Sequence, residues 1–363
     1  MKLSIFKRVE HLKYLLSQNT QAFFAQHPRA NCMQRVIRHI NDKDFVKKVL
    51  LLGHDPNAFY LESYGEENPD KNIPFIEINA MMGYAYRYML YALLEAERLG
   101  FTPVIRFNEK CAYLEDHPVN GTRNPFEYYF QQPTDVPLEA VYKSKRVFSF
   151  NVTHLSRIER DLGNLNPETP VGYIVTEPYL NELAEVARKY IRLNAVTKKM
   201  FAESMEKLFP VDFRAKRILG VHVRGTDFAL NWKDHPNMVT PDEFFSVTDH
   251  LLDGDEAFDY IFLATDDSSR LNTFKERYGE KLLYYEDVHR EDGTQNIALS
   301  TLDRENTHYL DGLEALRDIY TLAECTGLIA GLSQISIASR IVRLAEKGPF
   351  AYMKILDKGL YQG

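Results

Sequence analysis

The stretch Arg217-Ile-Leu-Gly-Val-His-Val-Arg-Gly-Thr-Asp227 is an apolar run that ends in a basic residue, a glycine, a hydroxyl and a carboxylate. Buried parallel strands have this pattern where their carboxyl end opens into a ligand site. His222 and Arg224 are two residues apart, so both side chains lie on one face of the predicted strand. From this pattern alone, a surface ion pair between Arg224 and Asp227 explains the charges equally well.

The composition is typical of a globular protein and argues against a nucleic-acid partner. The 363 residues are 45% hydrophobic and 26% charged, and this length allows two domains with separate cores. The net charge of −7 does not suit a general nucleic-acid binder. The cysteines Cys32, Cys111 and Cys325 are odd in number and far apart, which fits neither a disulfide framework nor a zinc site and favours a reducing compartment.

Residues 1–70 are predicted to form a helical N-terminal extension, because apolar residues from Leu3 to Leu16 recur at helical spacing. Basic residues in this extension leave a peripheral contact with an anionic membrane surface open, although a solvated helix face also explains them. The first residues lack the apolar core and cleavage pattern of a signal peptide, and no apolar run has membrane-spanning length. We therefore expect a cytoplasmic protein, with membrane association as the open alternative.

Strand and helix patterns alternate in two stretches, as in parallel α/β sheets. In the first, residues 71–208, a strand at 73–79, a helix at 84–99 and a strand at 101–107 form one βαβ unit, followed by a helix over 178–208. In the second, residues 209–363, the predicted strands are 217–224, 259–266, 281–286 and 327–331, and the predicted helices are 241–252, 267–278, 312–325 and 334–346. The sequence predicts an α/β fold of two facing Rossmann-like domains, with a ligand site between them.

Polar clusters follow the predicted strands of the second stretch, where parallel strands share one sheet edge. Arg224 can bind a phosphate bidentately. Ser333 and Gln334 open a helix, where backbone N–H groups suit a phosphate, although a plain N-cap explains Ser333 as well. Asp266 and Asp267 alternate faces, so they are poorly placed to share a metal ion. We expect one of them to face the ligand and the other to cap a helix.

Four motifs, in this order, resemble the α-1,6-fucosyltransferases of N-glycan cores and the nodulation fucosyltransferases, with kinship to protein O-fucosyltransferases. They are Gly220-Val-His-Val-Arg-Gly-Thr-Asp227, Leu263-Ala-Thr-Asp-Asp-Ser268, Leu316-Arg-Asp-Ile-Tyr-Thr-Leu322 and Ala330-Gly-Leu-Ser-Gln334. The resemblance covers about residues 220–345. It implies a GT-B fold, a GDP-fucose donor, inversion at the anomeric carbon, and neither a metal nor another cofactor.

The resemblance also implies roles for single residues. Arg224 is similar to the arginine that grips the β-phosphate, His222 to the histidine near the guanine, and Asp318 to the acid that accepts the guanine N–H groups. The other expected donor-site residues are Gly225, Thr226, Asp227, Asp266, Asp267, Ser333 and Gln334. In the first half, only Gly83 and Arg87 match the family's glycine-rich turn. The core enzymes carry a second arginine where this chain has Gly225.

The general base is the least defined part of the resemblance. In those enzymes it lies several residues after the first motif, where this chain has Asn231-Trp-Lys-Asp-His-Pro236. Asp234 or His235 is the candidate, with Glu77, Asp287 or the donor phosphate as alternatives.

The sequence thus predicts a fucosyltransferase with a nucleotide-sugar donor and a glycan or glycolipid acceptor. A transferase for another nucleotide sugar and a non-catalytic nucleotide- or glycan-binding module stay open, and the acceptor, the linkage and the oligomeric state are not indicated.

Overall fold

The computed structural model describes residues 60–109, 111–149, 173, 175–225, 235–254, 256–292 and 302–362. The strands are β1 (Tyr60–Glu62), β2 (Ile73–Ile78), β3 (Val104–Phe107), β4 (Val147–Ser149), β5 (Ile218–Val223), β6 (Tyr260–Thr265), β7 (Leu282–Leu283), β8 (Gly327–Gly331) and β9 (Tyr352–Leu356). The helices are α1 (Met82–Arg98), α2 (Pro125–Tyr129), α3 (Leu138–Val141), α4 (Glu177–Tyr190), α5 (Ala195–Leu208), α6 (Pro241–Thr248), α7 (Ser268–Tyr278), α8 (Thr307–Glu324) and α9 (Gln334–Glu346). The predicted extension up to residue 59 lies outside the described residues, as do Thr226, Asp227 and Asp234.

The first sheet has the strand order β1-β4-β2-β3. β2 pairs in parallel with β3 and β4, and β1 pairs antiparallel with β4 at the edge. Strand β2 is buried at every position except Glu77, as expected for a central strand covered on both faces. β2, α1 and β3 confirm the predicted βαβ unit. β1 and β4 fall where the sequence predicted helix and turns.

The second sheet is entirely parallel, with the order β7-β6-β5-β8-β9. Its central strand β5 is buried at all six positions, as the apolar run predicts. Val221 and Val223 belong to the core on one face, and Gly220 packs against Leu322 of α8 on the other face. The predicted strand over 281–286 is only two residues long, and edge strand β9 was not predicted.

Local capping signals explain where several helices begin. Thr240 and Glu243 form a capping box before α6, with Pro241 in its first turn. Asn194 accepts the N–H of Thr197 at 2.8 Å and starts α5. The single helix predicted over 178–208 is therefore two helices with a break at residues 191–194.

One apolar cluster joins the two halves of the chain. It contains Leu90 of α1, Leu183 of α4, Leu316 of α8 and Ile341 of α9. Helices that cover one face of the second sheet therefore also pack on the first half. The predicted α/β fold with two sheets is confirmed. Among the described residues, no helix combines the length and the apolar character that crossing a membrane requires.

Candidate functional site

Arg224 follows the carboxyl end of β5 and pairs with the carboxylate of Asp266, which follows the neighbouring strand β6. The same carboxylate accepts the backbone N–H of Gly225 at 3.0 Å. The two side chains are 22% and 11% exposed, so the pair is mostly buried and the arginine keeps some contact with solvent. Asp266 therefore orients Arg224. The alternative ion pair with Asp227 stays open, because Asp227 lies outside the described residues.

The second acid of the pair, Asp267, caps α7. Its Oδ1 accepts the N–H of Arg270 at 3.1 Å, and its Oδ2 is 3.3 Å from Nε of the same arginine. This confirms that one of the two adjacent acids caps a helix. The predicted contact of Asp267 with substrate stays a prediction, and its carboxylate is committed to Arg270.

The core enzymes of the resembled family carry an arginine at the position of Gly225. The residues around Gly225 explain why this chain has a glycine there. A Cβ atom at this position would lie 2.5 Å from both Cβ and Oδ2 of Asp267, closer than any real contact allows. Because Asp267 is fixed as a helix cap, the clash cannot be relieved by a simple side-chain rotation. The β5 exit therefore requires glycine in this chain.

His222 lies on β5 and is bonded to the start of α9. Its Nδ1 is 3.2 Å from Oγ of Ser333, and both side chains are buried. Burial lowers the pKa of His222 to about 4, against a smaller opposing effect of Asp266. The imidazole is therefore neutral at neutral pH. Ser333 also accepts the N–H of Ser336 at 3.0 Å, so it is an N-cap, as the alternative interpretation held.

The N-terminal turn of α1 meets the N-terminus of α9. Gly83 fits so closely that a Cβ atom there would lie 2.9 Å from the backbone of Gln334 and Ile335. Two helix N-termini, each with partial positive charge, thus converge beside Ser333. The structure brings together Gly83 and Gln334, residues predicted from distant parts of the sequence.

Arg87 lies in an aromatic core. It is 1% exposed, and its guanidinium is 5.6 Å from the ring centroid of Tyr91 and 6.0 Å from that of Tyr84. Its predicted role in substrate binding stays a prediction, and the observed surroundings are those of a packed side chain.

Asp318 lies on the face of α8 that meets the loop after β7. Burial raises its pKa to about 7, while the guanidinium groups of Arg317 and Arg290 act in the opposite direction. Within the described part of the chain, its carboxylate has neither a hydrogen bond nor an ion pair. A partly buried carboxylate in this state can accept two N–H groups from a ligand.

His235 is the candidate base that the structure describes. Its ring centroid is 5.9 Å from that of Tyr173, and its carbonyl accepts the N–H of Tyr361 in the C-terminal tail at 2.8 Å. Four residues further on, Val239 lies against Gly331 at the carboxyl end of β8, 3.6 Å from the position of an added Cβ atom. The segment that starts at His235 therefore crosses the sheet edge where Arg224 lies.

The alternative bases are both committed to arginines. Asp287 forms two bonds with Arg317, at 2.6 and 3.0 Å. Burial alone would raise the pKa of Asp287. The bonds with Arg317 outweigh the effect of burial, so the pKa of Asp287 is below its usual value. Glu77 pairs with Arg106 at 3.3 Å. These partners disfavour both acids as bases.

Among the residues that the structure describes, one group of side chains has the spacing of metal ligands, away from the strand ends: Glu115, Asp116 and His117. The nitrogens of His117 already contact Asp116 at 2.6 Å and Asn306 at 2.7 Å, and Glu115 accepts the N–H of Tyr309 at 2.8 Å. These bonds and the exposure of Asp116 and His117 do not indicate a metal centre.

Comparison with solved structures yields matches at low sequence identity. NodZ from Bradyrhizobium, a fucosyltransferase, is 17% identical with a TM-score of 0.47, over 76% of this chain and 93% of NodZ. The structure matches solved fucosyltransferases. POFUT1 in complex with GDP is 12% identical with a TM-score of 0.42, over 78% of this chain and 99% of POFUT1. Arabidopsis thaliana FUT1 is 10% identical with a TM-score of 0.42, over 90% of this chain and 78% of FUT1. No protein-family model and no curated protein matches the sequence.

Sequence reasoning missed the arginines around Asp318. Arg317 precedes Asp318 in the third motif, and its guanidinium is 3.9 Å from the ring centroid of Tyr285. Arg290 lies in the polar loop after β7 and binds three main-chain carbonyls. The run of charged residues after Glu286 was the available signal, but it does not say which of them faces α8.

Proposed function

We propose that this chain is an inverting glycosyltransferase that transfers fucose from GDP-fucose to a glycan or glycolipid acceptor. One observation carries the proposal. Arg224 is held by Asp266 at the end of β5, and Asp318, a carboxylate without a bonded partner among the described residues, is near Arg290, which is bonded to the carbonyl of Thr265 at the same edge of the second sheet. Open parallel sheets bind nucleotides at this edge.

The two charges suit the two ends of a guanosine diphosphate. A guanidinium binds the diphosphate with parallel N–H groups. A carboxylate accepts the N1–H and N2–H groups of guanine, which point in the same direction. Uracil offers one N–H between two carbonyls, and adenine offers an acceptor nitrogen at the corresponding edge. Asp318 therefore favours GDP over UDP, and UDP over ADP. GDP-fucose is also the compound with which a NodZ crystal was soaked.

The chemistry follows from the position of Arg224. An acceptor hydroxyl attacks the anomeric carbon, the bond from that carbon to the β-phosphate oxygen breaks, and GDP leaves with the bonding electrons. Arg224 stabilises the charge that develops on the departing diphosphate. Asp234 or His235 takes the proton of the hydroxyl, and attack from the face opposite the leaving group inverts the configuration.

Release of GDP from sugar nucleotides tests this proposal. We expect the wild type to release GDP from GDP-fucose faster than from GDP-mannose, and to release no UDP from UDP-galactose. Arg224→Ala should lose the activity, while Arg277→Ala should keep it. Arg277 is a matched control because it also pairs with an aspartate, Asp249. It lies in the last turn of α7, at the end opposite to Asp267.

The alternatives give different results. Faster release from GDP-mannose than from GDP-fucose would indicate a transferase for another nucleotide sugar. Tight GDP binding without release from any donor, with or without a glycan acceptor mixture, would indicate a binding module. Absence of GDP binding would contradict the proposal as a whole.

A further inference from the structure

The loop of residues 285–291, called the collar below, connects the two ends of the candidate donor site. At one end, the N–H of Glu291 donates to the carbonyl of Asp266 at 3.0 Å, and the carbonyl of Glu291 accepts the N–H of Ser268 at 2.8 Å. The collar is therefore fixed at the carboxyl end of β6, beside the acid that orients Arg224.

At its other end, the collar packs on α8 through polar contacts. The hydroxyl of Tyr285 is 2.8 Å from that of Thr321, and the N–H of His289 donates to Glu314 at 2.8 Å. Asp287 holds Arg317 with two bonds. These contacts lie on the helix face that carries Asp318, so the position of the collar defines the surroundings of that carboxylate.

Arg290 bonds the collar to the end of β6. Its guanidinium donates to the carbonyls of Thr265 at 3.1 Å, Tyr285 at 2.8 Å and Val288 at 3.2 Å. The first carbonyl belongs to the end of β6 and the other two to the collar. One rigid, forked cation thus ties the loop to the strand end.

The charge of Arg290 differs from that of Arg317 in one respect. Arg317 is bonded to Asp287, whereas Arg290 bonds only to neutral carbonyls among the described residues, and both guanidinium groups lower the pKa of Asp318. Asp318 likewise has no cation bonded to it there. A partly buried cation and a nearby, partly buried carboxylate therefore act on each other without forming a contact pair, which leaves the carboxylate oxygens available to a ligand.

We infer that Arg290 is a positioning residue for the nucleotide base: its contacts with the collar place a positive charge near Asp318, and this charge favours the ionised carboxylate that accepts the base N–H groups. This inference rests on the proposed GDP site and adds to it a residue outside the four motifs. It also assigns a function to the collar, whose two ends touch the phosphate side and the base side of the site.

A dependence of GDP binding on pH follows. Asp318 is faced by Arg317 and Glu314 from α8 and by Arg290, Asp287 and Tyr285 from the collar. With a pKa of about 7, roughly half of Asp318 is ionised at pH 7. Removing a nearby positive charge raises a carboxyl pKa by about one unit or more. The ionised fraction at pH 7 then falls to roughly a tenth, and at pH 9 it stays above about 90%.

The test is calorimetric titration of GDP at pH 7 and pH 9 into the wild type, Arg290→Gln and Arg290→Lys. The ratio of the variant's dissociation constant to that of the wild type cancels the titration of GDP itself. For Arg290→Gln we expect a ratio of roughly five at pH 7 and near one at pH 9. For Arg290→Lys, which keeps the charge but cannot span three carbonyls, we expect a ratio below about two at both pH values.

The matched control is Arg343→Gln. Arg343 also donates to main-chain carbonyls, including those of Ala323, Cys325 and Gly348, but it lies in the last turn of α9, away from the carboxyl edge. For Arg343→Gln, the ratio of the dissociation constant for GDP to that of the wild type should be one at both pH values.

Several outcomes would overturn the inference. If Arg290 only holds the loop, Arg290→Lys and Arg290→Gln will weaken GDP binding equally at pH 7 and pH 9. A ratio of one for Arg290→Gln at pH 7 would show that the charge of Arg290 does not affect GDP binding. If Arg290→Gln does not fold, Arg290→Lys decides alone, because loss of binding by a charged variant contradicts the role of charge. Failure of the wild type to bind GDP would instead refute the proposed function, and this inference with it.

Discussion

Replacing Arg224 separates a catalytic arginine from a structural one. The side chain of Arg224 is mostly buried against Asp266, so Arg224→Ala removes the donor to the leaving diphosphate and leaves a partly buried, unpaired carboxylate. Loss of one strong transition-state donor lowers turnover by ~10²–10³, or ~2.7–4 kcal/mol. Arg224→Lys should recover little of this, because an ammonium group lacks the fork that binds two phosphate oxygens.

The same substitution affects stability, and the magnitude follows from the contacts of Asp266. Breaking a fully buried ion pair costs ~3–5 kcal/mol. Asp266 keeps the N–H of Gly225 at 3.0 Å and is partly exposed, so we expect a smaller loss of about 1–3 kcal/mol. The double variant Arg224→Ala/Asp266→Asn removes the unpaired charge. It should regain most of this stability and none of the activity.

The assay combines the initial rate of GDP release from GDP-fucose with thermal unfolding of each variant, and Arg277→Ala serves as the surface control. Recovery of stability without recovery of turnover would establish that Arg224 acts on the substrate. A folded Arg224→Ala protein with turnover within a few-fold of wild type would refute this reasoning and make Arg224 a structural partner of Asp266.

Three further predictions follow from the site. Gly225→Ala should destabilise the protein by about 1–3 kcal/mol and weaken GDP binding, because its Cβ meets Asp267 at 2.5 Å; unchanged thermal unfolding would contradict this. EDTA should leave the rate of GDP release unchanged, because Asp266 and Asp267 are each bonded to an arginine; a loss restored by Mg²⁺ or Mn²⁺ would show a metal site. His235→Gln or Asp234→Asn should lower kcat by ~10²–10⁴ and remove one limb of its pH profile, with GDP affinity kept; wild-type profiles for both variants would place the base elsewhere.

Features set by neighbouring residues in the chain could be predicted from the sequence. The bounds of β8 and α9 agree with the prediction, because glycines flank the strand and Ser333 supplies an N-cap. The capping role of one acid after β6 was predicted from the alternation of side chains along a strand, and Asp267 fills it. These signals depend on local spacing and side-chain chemistry alone.

Features set by contacts between distant residues could not be predicted in the same way. The pairing of Arg224 with Asp266 depends on the register of β5 and β6, in which Val223 lies beside Thr265. The edge strand β9 has exposed positions and no alternating pattern, so its pairing with β8 defines it. The pKa of Asp318 depends on its burial and on charges that include Arg290, which is 28 positions away in the sequence and comes near it only in the folded chain.

The measurement that tests the central claim most directly is calorimetric binding of GDP, UDP and ADP to the wild type and to Asp318→Asn at pH 8. We expect the wild type to bind GDP more tightly than UDP, and UDP more tightly than ADP. In Asp318→Asn, the amide presents one acceptor and one donor group to the base, so GDP should lose at least about tenfold in affinity and ADP should change little. Equal binding of the three nucleotides by the wild type, or unchanged GDP affinity in Asp318→Asn, would contradict the assignment of this sheet edge as a guanosine diphosphate site.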